Sequence, residues 1–381
     1  MKLFINVSNL RFGGGKTVGM NIINYYMLHP DISSLVIAAP AGNGYERFDG
    51  ISEKVKIVYF HKIFNTSVFK LIITYILLPV YQVAFKADFI LSLGNVAIPT
   101  RKPQLLLIMM PYLAYPESIM WERIKKNNRK FYFYIRNVLR LIKANLKYAS
   151  ILCVQTEVMK KRISALYNIP LDKVFVMPCA VSFTSSKLPE SAVKAGSSNS
   201  KEIKLLFLSK YYLHKNFEIL YEVGREILNR KLDIKISVTI EPEENEGSRE
   251  FLENIAKLNL GAVIVNKGNI TLEQIPYVYD EHDGVFLPTF LESFSGTYIE
   301  SMYFGKPIFT SNLDFAEVVC KDAAYYFDPV DANDIIDTIV EAFDDPVELT
   351  RKVDRGNQMI AESPSWNDIG KFIDEKILKL S

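Results

Sequence analysis

"GVFLPTFLESFSGTYIESMYFGKPIFT", Gly284 to Thr310, sets two short apolar runs on either side of a polar loop and a helical segment. "GVFLP" and "PIFT" have the length of buried strands, and "TYIESMYFG" between them spaces its apolar residues as a helix does. Strand, helix, strand is the parallel crossover unit. The same alternation extends outward. Upstream lie the strands "IKLLFLS", "IKISVTI" and "AVIVN", alternating with the helices "FEILYEVGREILN", "REFLENIAKL" and "LEQIPYVYDEH". Downstream, "DANDIIDTIVEAF" reads as a late helix. This half predicts a parallel sheet wrapped by helices.

The first half repeats the pattern less cleanly. "MKLFINV" is a strand and "TVGMNIINYYML" an amphipathic helix, with further strands near Leu35–Ala39, Lys56–Phe60, Phe89–Leu93, Gln104–Met109, Ile151–Gln155 and Val174–Met177. Between the halves, "TSSKLPESAVKAGSSNSKE" (Thr184–Glu202) is rich in Ser, Ala and Lys and has no apolar periodicity, so it reads as a linker. The expected fold is α/β: two Rossmann-like doubly wound domains in tandem, with a ligand site in the cleft between them.

Composition agrees. A chain of 381 residues is too long for one ordinary core, and 49% hydrophobic with 23% charged residues marks a folded protein. Cys153, Cys179 and Cys320 are scattered without CxxC spacing, which argues against a disulfide framework or a zinc site and fits a reducing compartment. The first apolar run is too short for a signal peptide. The net charge of +2 conceals an asymmetry: residues 1–183 carry 24 Lys and Arg against 9 Asp and Glu, the remainder 21 against 34.

"FGGGKTVG" (Phe12–Gly19) has the composition of a phosphate cradle, but a P-loop needs a glycine where Leu10 stands. What remains is strand, glycine turn, helix: either an approach for a pyrophosphate or a tight turn without a ligand. Near the other end, Glu292 follows "GVFLP" and Glu300 lies eight residues on, inside the next helix. That helix is expected to begin near Ser295–Gly296. Its free N–H groups then face the loop, where they attract phosphate or a sugar oxygen. Two glutamates at this spacing also fit an ordinary surface.

The stretch Pro288–Asn312 resembles the E-x7-E signature of retaining glycosyltransferases of family 4, of the GT-B fold and the bacterial surface-polysaccharide type. Glu292, Ser293, Phe294, Glu300, Gly305 and Pro307 fall in register with it. "DFAEVVCKDAAYYFDPVDANDI" (Asp314–Ile335) is also similar to the family, as is "SPSWNDI" (Ser363–Ile369), which there begins a helix that crosses back to the first domain. The implied domains are 1–183 for acceptor and membrane, a linker 184–202, 203–362 for the nucleotide sugar, and a returning helix 363–381.

The resemblance implies that Glu292 contacts donor-sugar hydroxyls and Glu300 the ribose, with Ser293, Phe294 and the amides of Ser295, Gly296 and Thr297 facing sugar or phosphate. "FSGT" departs from the more usual Phe-Gly-Leu. "FLSKYYLHKNFEIL" is similar to the family's strand-end cation followed five residues later by Lys-Asn. Lys210 replaces the usual Arg there, and Lys215 matches. Two cations at a strand end can neutralise a departing diphosphate without a metal, although lysine lacks arginine's bidentate fork. Gly13, Gly14 and Gly15 take the phosphate-approach role. Asn95 and Tyr112, at two further strand ends, line the acceptor side. Met109 and Met110 stand where many relatives carry a histidine, and His29, His61, His214 and His282 do not replace it. This agrees with a front-face mechanism in which the leaving phosphate takes the acceptor's proton. The implied co-substrate is a UDP- or GDP-sugar, with no cofactor and no metal.

Residues 120–149 carry nine Lys and Arg against one Glu, interleaved with aromatics. They predict a basic amphipathic helix for an anionic membrane surface rather than nucleic acid. The uncharged core of "VFKLIITYILLPVYQVAF" (Val68–Phe85), Leu71–Phe85, is shorter than the ~20 residues of a spanning helix and contains Pro79, so the stretch reads as a packed helix that grazes the bilayer at most. The expected location is cytoplasmic, peripheral on the inner face of the cell membrane. The alternatives are a GT-B nucleotide-sugar epimerase and a non-catalytic membrane-bound glycan-binding scaffold.

Overall fold

The computed structural model describes residues 1–61, 67–182 and 202–380, so almost all of the expected linker lies outside the described residues. The chain divides into two compact units. One comprises 1–117, 124–182 and 364–381; the other comprises 118–123 and 183–363.

The first unit holds β1 (Lys2–Asn6), α1 (Gly13–Leu28), β2 (Ser34–Pro40), β3 (Val55–Phe60), α2 (Ser67–Ile72), α3 (Leu78–Phe85), β4 (Phe89–Ser92) and β5 (Gln104–Ile108). It continues through α4 (Met120–Asn127), whose first four residues belong to the other unit, then α5 (Arg129–Asn145), β6 (Ile151–Val154), α6 (Glu157–Tyr167) and β7 (Val174–Val176). Its seven strands run parallel in the order β3-β2-β1-β4-β5-β6-β7. Strand order reverses between β1 and β4. Apolar side chains on both faces make such strands nearly continuous hydrophobic runs, and Leu3, Phe4 and Ile5 are wholly buried.

The second unit holds β8 (Ile203–Phe207), α7 (Leu220–Asn229), β9 (Ile234–Val238), α8 (Glu246–Lys257), β10 (Ile264–Asn266), α9 (Ile275–Asp280) and β11 (Gly284–Leu287). After these come α10 (Gly296–Tyr303), β12 (Ile308–Ser311), α11 (Asp314–Cys320), β13 (Ala324–Phe327), α12 (Ala332–Asp344) and α13 (Pro346–Ala361). Six parallel strands run β10-β9-β8-β11-β12-β13, reversing between β8 and β11. A column of rings fills the core beside that reversal: Phe217 stacks on Phe207 at 4.3 Å, Phe207 meets Phe286 edge-on at 6.0 Å, and Phe286 stacks on Phe327 at 5.5 Å.

Three segments depart from the sequence expectation. The glycines do not precede the first helix. Gly13, with φ +63°, turns the chain into α1, and Gly14 and Gly15 already lie in its opening turn. The basic segment is two helices, because Asn128 breaks it and caps α5 by accepting a 2.9 Å bond from the Phe131 amide. Val68–Phe85 is not one regular helix. A wide π turn, Ile73–Leu77, separates α2 from α3, and Pro79 in the next turn lacks the N–H that a regular ladder would use. Its inner face, with Ile73 and Leu78, packs on Phe4, Val36 and Ile90 of the sheet. Its outer face is exposed. Among the described residues, no helix is long and apolar enough to cross a membrane.

The final helix, α14 (Trp366–Leu378), lies against α1. Ser365 and Asp368 form a reciprocal capping box at its start. Further along, Asp374 accepts bonds from both Tyr25 and Tyr26, the latter at 2.9 Å, and lies 3.2 Å from His29 Nε2. A Cβ at Gly370 would lie 2.4 Å from the Tyr25 ring, which its hydroxyl bond to Asp374 holds in place. Gly370→Ala is therefore expected to destabilise the protein by about 1–3 kcal/mol. The midpoint of urea unfolding checks it.

Candidate active site

The carboxyl ends of β8 and β11, neighbours at the reversal of the second sheet, each lead into a loop that carries residues expected from the sequence to form a site. After β8, residues 213–215 make one tight helical turn, and Asn216 closes it in the left-handed conformation with φ +60°. Asn216 is buried, and its side-chain amide donates to the carbonyls of Pro288 at 3.0 Å and Pro329 at 2.8 Å. Its own oxygen accepts a 3.4 Å bond from Arg123, whose guanidinium lies 4.2 Å from the Phe290 ring centre. This clasp joins the two loops and aims Lys215 across the gap.

Lys215 Nζ donates to Glu292 Oε1, and both side chains are largely enclosed. Thr289 ties the same corner together: its hydroxyl donates to the His214 carbonyl at 2.9 Å and approaches Glu292 at 3.5 Å. Burial, followed by the neighbouring charge of Lys215, pushes the His214 imidazole down to about 3, so it is neutral at physiological pH. That removes it as a cationic partner for a diphosphate.

Beyond Glu292 the chain bends at Ser293, is extended at Ser295 and enters α10 at Gly296; Ser295 makes no side-chain cap bond. The Tyr298 amide donates to the Ser295 carbonyl at 3.2 Å, which leaves the amides of Gly296 and Thr297 as the ones in this turn that could meet an anion or a polar ligand. Ser293 and Ser295 are buried, while Phe294, Gly296 and Thr297 keep some exposure. Glu300, one turn in, lies 3.4 Å from the hydroxyl of buried Tyr279. Burial pushes its carboxyl up to about 7, with the Tyr279 bond opposing that shift.

Lys210 is placed differently from Lys215. It is half-exposed and paired with Glu244, so the two expected cations have different carboxylate partners. In the first unit, Gly13–Gly15 open α1 just beyond β1. A Cβ at Gly13 or Gly14 would meet open space, whereas one at Gly15 would lie 3.3 Å from both Leu10 and Met109. Gly15 is therefore accounted for by packing. Asn95, with φ +70°, accepts a 2.5 Å bond from the Met109 amide and braces the ends of β4 and β5. Tyr112 is buried in the short turn Pro111–Leu113. Among the described residues, no cluster of three or more His, Cys, Asp or Glu could hold a metal ion. Arg123, Thr289 and Tyr279 escape sequence reasoning; Thr289, three residues before Glu292, had the only local signal.

Residues 190–359 match the model of glycosyl transferases group 1. The chain is 24% identical over 204 residues to an uncharacterised 41.2 kDa protein in the cps region of Klebsiella pneumoniae, a match over 52% of this chain and 51% of that one. It thus spans about half the length of that curated relative. In fold it is similar to sucrose-phosphate synthase of Thermosynechococcus elongatus, with TM-score 0.74 at 14% identity over 100% of this chain and 99% of the other. It is equally similar to HepE of Anabaena, solved with UDP and glucose, with TM-score 0.73 at 15% identity over 99% of each chain. The fold is GT-B.

The Lys215–Glu292 pair is enclosed, so removing one partner strands the other. Lys215→Met is expected to lower stability by about 3 kcal/mol, and Lys215→Met/Glu292→Leu to recover most of that loss. Urea unfolding of the three variants, Glu292→Leu included, measures the coupling.

Proposed function

We propose that this chain is a retaining, metal-independent glycosyltransferase of the family 4 type. It moves a sugar from a UDP- or GDP-sugar to a glycan or lipid-linked acceptor in the synthesis of a cell-surface polysaccharide. The observation that carries the reading is the Lys215–Glu292 pair at the β8/β11 reversal, followed within four residues by the uncapped start of α10. Cation, carboxylate and the first amides of α10 there supply what a sugar diphosphate needs: charge neutralisation, hydroxyl acceptors and hydrogen-bond donors to phosphate. A relative in a cps region and a structural neighbour solved with UDP and glucose support the substrate class.

In the proposed reaction, the bond between the anomeric carbon and the diphosphate oxygen breaks while the acceptor oxygen bonds to the same face of the sugar. The acceptor's proton passes to the departing phosphate. Glu292 orients sugar hydroxyls, Lys215 and Lys210 neutralise the diphosphate, and Glu300 accepts from the ribose. Gly13 and Gly14 allow close approach of phosphate, and Asn95 and Tyr112 border the acceptor. The protein acts on the inner face of the cell membrane, with 120–149 towards anionic lipid.

Thermal melts with UDP, GDP, ADP, dTDP and their sugars test this. The matching nucleotide at a hundred times its dissociation constant should add about 2.7 kcal/mol, and Glu300→Ala should lose that gain. A folded protein that shifts with no nucleotide overturns the reading.

A ribose diol donates to the ionised Glu300, so binding favours loss of its proton. Because the free carboxyl titrates at about 7, affinity should rise with pH, by up to about tenfold per unit below 7, and level off above it. Glu300→Gln should flatten that profile, which calorimetric titrations at pH 6 and pH 8 would read.

A further inference from the structure

We infer that α2–α3 and α5 together form a membrane-insertion face, on which a row of apolar side chains enters an anionic bilayer beside a basic stripe that holds its headgroups. The inference deepens the membrane-facing reading of 120–149 and does not depend on sugar transfer.

The apolar row lies on the outer side of Ser67–Phe85. Leu71, Tyr75, Ile76, Val80, Tyr81 and Val83 are 40–66% exposed, and Val83 is the most open at 66%. Six large apolar side chains on one short helical segment exceed the scattered exposure normal for a surface. Lys70 carries the only charge between Phe69 and Phe85. The opposite side of the segment is already committed to the sheet through Ile73 and Leu78. Burying the outer row therefore needs something from outside this unit.

The neighbouring helix supplies the charge. Arg129, Phe133, Arg136, Arg140 and Lys143 follow one another at helical spacing of four, three, four and three residues, and all are exposed. Ile135, Ile142 and Asn145 form the buried side. Two contacts hold the helices together: Asn145 Nδ2 donates to Tyr75 Oη at 2.8 Å, and Lys70 Nζ donates to Tyr134 Oη. No Asp or Glu occurs from 54 to 87 or from 123 to 156.

This combination selects one occupant. Nucleic acid would account for the stripe but not for the valines and isoleucines beside it. A second copy would cover the apolar row but bring two basic stripes together. An anionic lipid surface satisfies both, with the helices lying in its plane, since a segment of this length interrupted by Pro79 does not span.

The test uses the full chain with vesicles of phosphatidylcholine alone and of phosphatidylcholine mixed with phosphatidylglycerol, read by co-sedimentation, and with monolayers of the same mixture, read by pressure rise. Wild type should bind the anionic vesicles, ignore the neutral ones and raise monolayer pressure. Arg136→Gln/Arg140→Gln/Lys143→Gln should weaken vesicle binding roughly 100-fold. Ile76→Ser/Val80→Ser/Val83→Ser, at exposed positions that leave the fold intact by circular dichroism, should lose the pressure rise while keeping salt-sensitive attraction. The proposal is overturned if wild type ignores anionic vesicles, or if the serine variant raises monolayer pressure as wild type does. It is equally overturned by tighter capture on duplex DNA, or by a dimer that only the serine variant lacks. A protein that ignores vesicles yet is stabilised by a nucleotide would remove this face and leave the sugar-transfer reading standing.

Discussion

In a sheet whose strands all run the same way, every strand delivers its following loop to the same edge. Where the order of strands reverses, the chain leaves two adjacent strands in opposite directions, and a crevice opens between their loops. That constraint places what matters in the second unit. The β8 and β11 loops are 77 residues apart at Lys215 and Glu292, yet they face each other because β8 and β11 are neighbours. The first unit obeys the same rule, and its reversal puts the start of α1 beside the loop that Asn95 braces.

The crevice is electrostatically asymmetric. Lys215 and Glu292 satisfy each other in an enclosed corner, which holds both in position at a desolvation penalty that each offsets for the other. Eight residues on, Glu300 lies beside the Tyr279 hydroxyl, and burial pushes its carboxyl up to about 7 against the pull of that bond. Two carboxylates from one short motif thus stand in different surroundings, one against a lysine and one against a tyrosine. The difference comes from neighbours, not from the residues themselves.

Much of this was legible in the sequence. Strands buried on both faces are short apolar runs, and nearly all of them appear as such. β13 was harder, since "AYYF" is an edge strand whose central tyrosines stay partly exposed. α13 has only Val353 and Gly356 fully buried, so it shows little apolar stripe to read. The break at Asn128 hides within a continuous amphipathic pattern, because the capping side chain replaces a backbone bond without disturbing the periodicity. At the site, the spacing of Glu292 and Glu300 was visible. The pairing of Lys215 with Glu292 was not, nor was the different partner of Lys210, because both depend on which strands are neighbours. Arg123 had no signal at all: it stands in a run of basic residues, and only the folded chain distinguishes it from them.

The last helix brings a different consequence. Tyr26 and Asp374 meet across 348 residues of chain, so the first unit takes chain from both before and after the second. As the chain leaves the ribosome, all of the second unit emerges before α14 does. The first unit must wait, with the Tyr25 and Tyr26 side of α1 uncovered, while its successor has every residue it needs. Of the two units, the one that begins first is the one completed last, and a chain that stops before α14 would leave that side of α1 bare.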